Sequence, residues 1–228
     1  MSIRAFLFDM DGLLLDTEAI HIRAYAELTA RLGCPQSHET LKRFIGYSHP
    51  VACQWLMDEA GCPGPMEELI EAEQAIYFDI LEKERPRPLS GVGEMFDAGD
   101  TLKFGRALVS SSVGFQVDPT MQIIATHLKR AGGWREHFQS VCTGDRVKER
   151  KPAPDLYELA MKELGLRPNE CVAFEDSSAG IQAAVNAGLR VVAVPNLHLK
   201  PDEVVQGRTE YVYDTLLEVS RDLDRILK

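Results

Sequence analysis

The sequence contains no run approaching 18 consecutive apolar residues, so it offers no candidate transmembrane helix. The early apolar stretch 5–8 is cut by Asp9 and Asp11, and 13–15 is too short for a signal core, so no secretory leader is expected. Cysteine is sparse and unpatterned. The five residues, Cys34, Cys53, Cys62, Cys142 and Cys171, form no CxxC and no Cys/His cluster. That argues against a zinc site or a disulfide framework, and reduced thiols in a cytoplasmic protein are the expectation. Basic residues are outnumbered, with Lys plus Arg at 25, Asp plus Glu at 35 and a net charge of −10. A surface of that sign repels nucleic acid and anionic membrane, so neither is expected as a partner. A small anionic substrate stays admissible, because a bound metal can reverse the local field. What remains is ordinary globular usage, 45% apolar and 26% charged over 228 residues, enough to bury a core without a staple. Nothing in the sequence demands more than a monomer.

Residues 3–8 read as a short buried strand running into an acidic, Gly-containing turn. A helix is expected from Thr17, as its cap, to about Leu32, with Gly33 as the stop. Two more helices are expected near 50–60 and 66–84, and this region shows no convincing strand. The run Arg85-Pro86-Arg87-Pro88-Leu89-Ser90-Gly91 cannot continue a helix and reads as a hinge. After it the rhythm alternates. Strands are expected at 107–110, 140–142, 171–174 and 191–194, and helices at 92–104, 117–131, 155–164, 178–187 and 213–227. Short apolar strands alternating with helices imply an α/β core with a parallel sheet covered on both faces. The first strand is separated from the rest by a helical insertion, so residues 1–16 and 89–228 are expected to form the core and 17–88 an inserted domain. The insertion carries seven basic and twelve acidic residues, and the 59–84 stretch reads as a solvated helix face.

In open α/β sheets, ligands bind at the carboxyl ends of the strands. Four chemically suggestive strings lie there. Asp9-Met10-Asp11-Gly12 follows the first strand: two carboxylates on one side of an extended chain, then a glycine that permits a sharp turn. A carboxylate is a hard ligand for Mg2+ and can also attack phosphorus. Ser110-Ser111-Ser112 follows the second strand and offers hydroxyl and N–H groups to a phosphate oxygen, although serines there commonly only turn the chain. Lys151-Pro152-Ala153-Pro154-Asp155 presents a lysine ahead of a proline-started helix. Glu175-Asp176-Ser177-Ser178-Ala179-Gly180 offers two adjacent carboxylates before a helix start, where Asp176 or Ser177 could equally serve as an N-cap.

In combination and in this order, the four strings resemble the haloacid dehalogenase superfamily, most closely its β-phosphoglucomutase-like phosphatases, over essentially the whole chain. The resemblance implies a Rossmann-like parallel sheet core with an inserted α-helical cap. It also implies a Mg2+-dependent phosphatase acting on a small phosphorylated metabolite, a sugar phosphate being one class. Asp9 would be the nucleophile and Asp11 the general acid and base. Ser110, Ser111, Gly12 and Lys151 would hold the phosphate, and Lys151 would also keep Asp9 ionised. Mg2+ would be held by Asp9, the backbone carbonyl of Asp11, and Asp176, with Glu175 a ligand or close behind. His21 falls at a histidine position of the family pattern and is a candidate for substrate contact. His49 falls where the mutases carry an arginine that grips a second phosphate, and a cap lysine of the mutases has no clear counterpart. Those departures favour simple hydrolysis, and they leave a phosphomutase, or a non-catalytic binding protein on the same fold, as alternatives.

Overall fold

The computed structural model describes residues 2–45 and 47–228. The chain divides into two compact units, one made of Met1–Leu15 with Arg87–Lys228, the other of Asp16–Pro86.

The first unit is built on a parallel sheet. Among the described residues it has six strands: β1 (Ala5–Phe8), β2 (Gly105–Val109), β3 (Ser140–Cys142), β4 (Cys171–Glu175), β5 (Arg190–Ala193) and β6 (Tyr211–Val212). Their order is β3-β2-β1-β4-β5-β6, and every pairing is parallel. This is the doubly wound Rossmann-like order, and its direction reverses between β1 and β4. β1 is apolar at every position and wholly buried, as a strand covered on both faces must be. Its alternating side chains divide by size. Phe6 and Phe8 meet Phe174 on one face, with ring centroids 5.3 and 4.9 Å away, and Phe8 also meets Phe96. Ala5 and Leu7 join Ala107, Val109 and Ala173 in the core cluster of the other face.

In the second unit, four α-helices occupy the described residues: α1 (Thr17–Arg31), α2 (His38–Leu41), α3 (His49–Asp58) and α4 (Met66–Glu84). The first cap is Asp16, whose carboxylate accepts from Ala19 N–H at 3.2 Å. Thr17, expected as the cap, is instead the buried first residue of the helix. The expectation of reduced cysteines is overturned here. Cys34 and Cys62 form a disulfide with Cα atoms 5.4 Å apart, while Cys53, Cys142 and Cys171 are free and buried. Each paired cysteine follows a glycine just beyond a helix end, Gly33 after α1 and Gly61 after α3, both left-handed at φ +78° and +66°. Those turns bring two helix ends together, a tertiary meeting that no sequence spacing announces. The pairing also removes one of the grounds for expecting a reducing compartment. The acidic 59–84 stretch is corrected at one position: Glu73 is fully buried rather than solvated.

In the first unit follow α5 (Val92–Leu102), α6 (Gly114–Leu128), α7 (Asp155–Leu164), α8 (Ser178–Asn186), α9 (Pro201–Val205), α10 (Leu216–Arg221) and α11 (Leu223–Ile226). The helix expected over 213–227 is two short helices, preceded by the edge strand β6. Thr215 caps the first through Glu218 N–H at 3.2 Å, and the break comes at Asp222. α6 begins at Gly114 rather than near 117, with the Gln116 side chain accepting from Val113 N–H at 3.2 Å. No helix among the described residues is long and apolar enough to cross a membrane.

Candidate active site

The chain after β1 stays in register with β4 for one more residue, Asp9 N–H donating to the Phe174 carbonyl at 3.1 Å. That bond carries the Asp9 side chain past the strand end, buried at 6% exposure. The chain then turns at Gly12, in the left-handed region at φ +78°. A Cβ there would lie 2.0 Å from Asp176 Oδ2, so only glycine lets the turn close against that carboxylate.

Lys151 joins the elements. Its ammonium has three hydrogens and three acceptors: Asp9 Oδ1 at 2.6 Å, Glu175 Oε1 at 2.6 Å and the Val109 carbonyl at 2.8 Å. One side chain therefore ties together the ends of β1, β2 and β4. Burial disfavours its charge, but Asp9 and Glu175 outweigh that and hold the ammonium above its ordinary pKa. Glu175 is fully buried. Its Oε1 also accepts from the Tyr157 hydroxyl, while its Oε2 has no hydrogen-bond partner and lies against Gly180, where a Cβ would come within 1.8 Å. Asp176 is held twice by Asn196, through Nδ2 to Oδ2 at 2.9 Å and through N–H to the Asp176 carbonyl at 3.0 Å.

Asp11 is held apart from this group. Its Oδ2 accepts from the hydroxyls of Ser112 at 2.8 Å and Ser110 at 3.2 Å, and the Ser110 oxygen in turn accepts from Ser112 N–H at 3.0 Å. The two carboxylates of the first string thus have unlike settings, one on an ammonium and one on two hydroxyls. Ser110, expected to hold phosphate, here orients Asp11. Ser111 lies beside it, half-buried.

Carboxylate oxygens of Asp9, Glu175 and Asp176 lie within 4.8 Å of one another, all three residues buried. Three carboxylates against one ammonium leave an excess of negative charge. Burial, with Glu175 and Asp11 adding, pushes the Asp9 carboxyl up to about 8 against the pull of Lys151. The unpartnered Glu175 Oε2, the all-oxygen donor set and the surplus charge fit a hard divalent cation.

His21 and His49 lie in the helical unit. Both Nδ1 atoms face Glu73, at 2.8 and 3.3 Å. Tyr157 and Asn196 were not singled out from the sequence. Asn196 follows β5 and answers to the same strand-end rule as the four strings. Tyr157 carried only a weaker signal, a phenol on the inward side of the helix after Lys151, whose hydroxyl needs a partner when buried.

A family model described as haloacid dehalogenase-like hydrolase matches residues 6–194. The chain is 34% identical over 212 residues to the protein CbbY of Rhodobacter capsulatus, covering 89% of this chain and 90% of the relative. It is 30% identical over 189 residues to the fructose-1-phosphate phosphatase YqaB of Escherichia coli, covering 82% and 94%. The crystal structure of CbbY from Rhodobacter sphaeroides in complex with xylulose-1,5-bisphosphate superposes with a TM-score of 0.80 at 26% identity, covering 95% of this chain and 96% of that one.

Proposed function

Because the chain belongs to the haloacid dehalogenase-like hydrolases, we propose that it is a Mg2+-dependent phosphatase that hydrolyses a small phosphorylated metabolite of the sugar phosphate class through an aspartyl-phosphate on Asp9. The observation that carries this reading is the buried Lys151 ammonium spanning Asp9 and Glu175, next to three convergent carboxylates.

The Asp9 carboxylate attacks phosphorus and the bond from phosphorus to the substrate oxygen breaks. The leaving oxygen takes a proton from Asp11. Water then attacks the phosphorus of the aspartyl-phosphate and gives its proton to Asp11, and the acyl–phosphate bond breaks to release inorganic phosphate and restore Asp9. The division of labour follows the settings: Asp9 lies on the Lys151 ammonium, whose pull favours the attacking carboxylate form, whereas Asp11, on two serine hydroxyls outside the three-carboxylate group, is the second carboxylate left for proton transfer. Asp9, Glu175, Asp176 and the Asp11 carbonyl are the groups to hold Mg2+, which when bound neutralises charge on the transferring phosphoryl group. Lys151 contributes a fixed positive charge on the same carboxylates, and Asn196 and Gly12 fix Asp176. The names of YqaB and of the bisphosphate-bound CbbY support the sugar phosphate class.

The test is a panel of phosphorylated sugars with Mg2+, assayed for inorganic phosphate. Release is expected, and Asp9→Asn is expected to abolish it with an unchanged circular dichroism spectrum. A phosphate moved to another hydroxyl of the same sugar, with none released, replaces hydrolysis by mutase chemistry. Full turnover by Asp9→Asn removes the nucleophile.

A further inference from the structure

α4 buries a stripe of residues at Leu69, Glu73, Ile76, Tyr77 and Leu81. Four are apolar or aromatic. The fifth is a carboxylate, fully buried. A carboxylate in that place is costly unless a compensating charge lies against it. What faces it are two imidazoles. His21, on α1, sets Nδ1 at 2.8 Å from Oε1, and His49, opening α3, sets Nδ1 at 3.3 Å from Oε2. The His21 ring stacks on Tyr77 at 4.1 Å, and the two imidazole centroids are 5.1 Å apart.

The hydrogen bonding does not close. His49 Nδ1 also lies 2.9 Å from the Tyr25 hydroxyl, and Tyr25 is bonded to the Cys53 thiol as well. One ring nitrogen cannot serve both Tyr25 and Glu73 with one hydrogen, and Glu73 Oε2 is left without a hydrogen-bond partner. A sealed carboxylate oxygen thus faces an imidazole nitrogen at 3.3 Å with no hydrogen bond between them.

We propose that His21, His49 and Glu73 form a binding site for a divalent transition cation of the zinc class, clamping α1, α3 and α4 of the helical unit. One donor atom from each residue lies within 4.8 Å of the others. Tetrahedral bonds of about 2.0–2.1 Å place donors roughly 3.3–3.4 Å apart. The two imidazole nitrogens approach different oxygens of Glu73, His21 at 2.8 Å from Oε1 and His49 at 3.3 Å from Oε2, so a cation drawing one donor from each residue calls for sub-ångström to ångström adjustments of these side chains. Two imidazoles and one carboxylate leave a fourth position for water, and imidazole donors select zinc, cobalt, nickel or copper over Mg2+. The ligand chemistry therefore differs from the all-carboxylate group of Asp9, Glu175 and Asp176. The histidine side chains are 21% and 24% exposed while Glu73 is sealed, which gives the cation a way in from the imidazole side.

The full-length protein, held in excess millimolar Mg2+ to occupy the carboxylate group, is titrated with Co2+ and read by visible ligand-field absorption and by Tm. A single equivalent is expected, coloured, raising Tm and displaced by Zn2+. Glu73→Gln and His49→Gln are each expected to lose the band, and Asp176→Asn to keep it. A wild-type protein that stays colourless with an unmoved Tm overturns the proposal and leaves a shared proton as the occupant. A band that survives in both Glu73→Gln and His49→Gln also overturns it, by assigning the cobalt to surface histidines. A colourless wild type overturns the proposal even where a variant fails to fold, and where one variant fails to fold the other decides.

Discussion

Replacing Tyr157 with phenylalanine isolates one oxygen atom. Tyr157 is fully buried and its hydroxyl donates to Glu175 Oε1, the oxygen that also receives Lys151. Phenylalanine keeps the ring, so it opens no large cavity. It also keeps the contact between that ring and the Lys151 ammonium, 5.3 Å from its centroid. What is lost is one hydrogen bond to a buried carboxylate whose other oxygen already has none. Hydrogen bonds to charged groups contribute about 1.5–3 kcal/mol, and burial shields this one from solvent screening, so a loss of about 2 kcal/mol is expected. The assay is urea unfolding of wild type and Tyr157→Phe without added metal, where the midpoint should fall with an unchanged slope. Because Tyr157 orients a cation-binding carboxylate without touching the reacting atoms, Mg2+ affinity or turnover should drop by about 10–100-fold. A stability loss under about 0.5 kcal/mol together with full turnover would refute the reasoning, because Lys151 alone would then suffice to hold Glu175.

Two further tests address charge and chain entropy. The Asp9 carboxyl, normally 3.8, is pushed up to about 8 in the metal-free fold, so between those values the folded protein holds a proton that the unfolded chain has released. Metal-free stability from this group should therefore be present below about pH 4 and be lost as pH rises to about 8. Asp9→Asn should flatten that decline, and a stability rising with pH only in the wild type contradicts it. Reduction of Cys34–Cys62, which closes a separation of 28 residues, should cost about 3–4 kcal/mol. An unchanged urea midpoint after dithiothreitol would show that the reduced chain is equally constrained.

The parts of the fold legible in the sequence were those with local punctuation. β3 and α7 fall where they were expected, α7 because Pro154 precedes its start and Gly165 ends it. β6 was missed because two residues on a sheet edge carry no periodicity. In the candidate site, Asp9, Glu175 and Asp176 lie where strands end, as the rule that chemistry gathers there expects, whereas Lys151, nine residues beyond β3, was marked by its Lys-Pro-x-Pro-Asp string and the family resemblance. Tyr157 and Asn196 escaped because each acts through another side chain, and a partner across the fold leaves no mark in its own neighbourhood. Glu73 escaped for a related reason. In a stretch with acidic residues at 67, 68 and 71 it reads as one more solvated charge, and only the packing of α1 and α3 against α4 turns it inward.

The middle strand of the sheet is the first to be synthesised. β1 is entirely apolar, yet its two neighbours begin at Gly105 and Cys171. A nascent chain therefore carries a sticky segment with both hydrogen-bonding flanks vacant until β2 is made, and with one still vacant until the chain has been extended past Cys171. Such a segment is open to wrong partners throughout translation, and the yield of native protein at high expression should depend on how well chaperones shield those few residues.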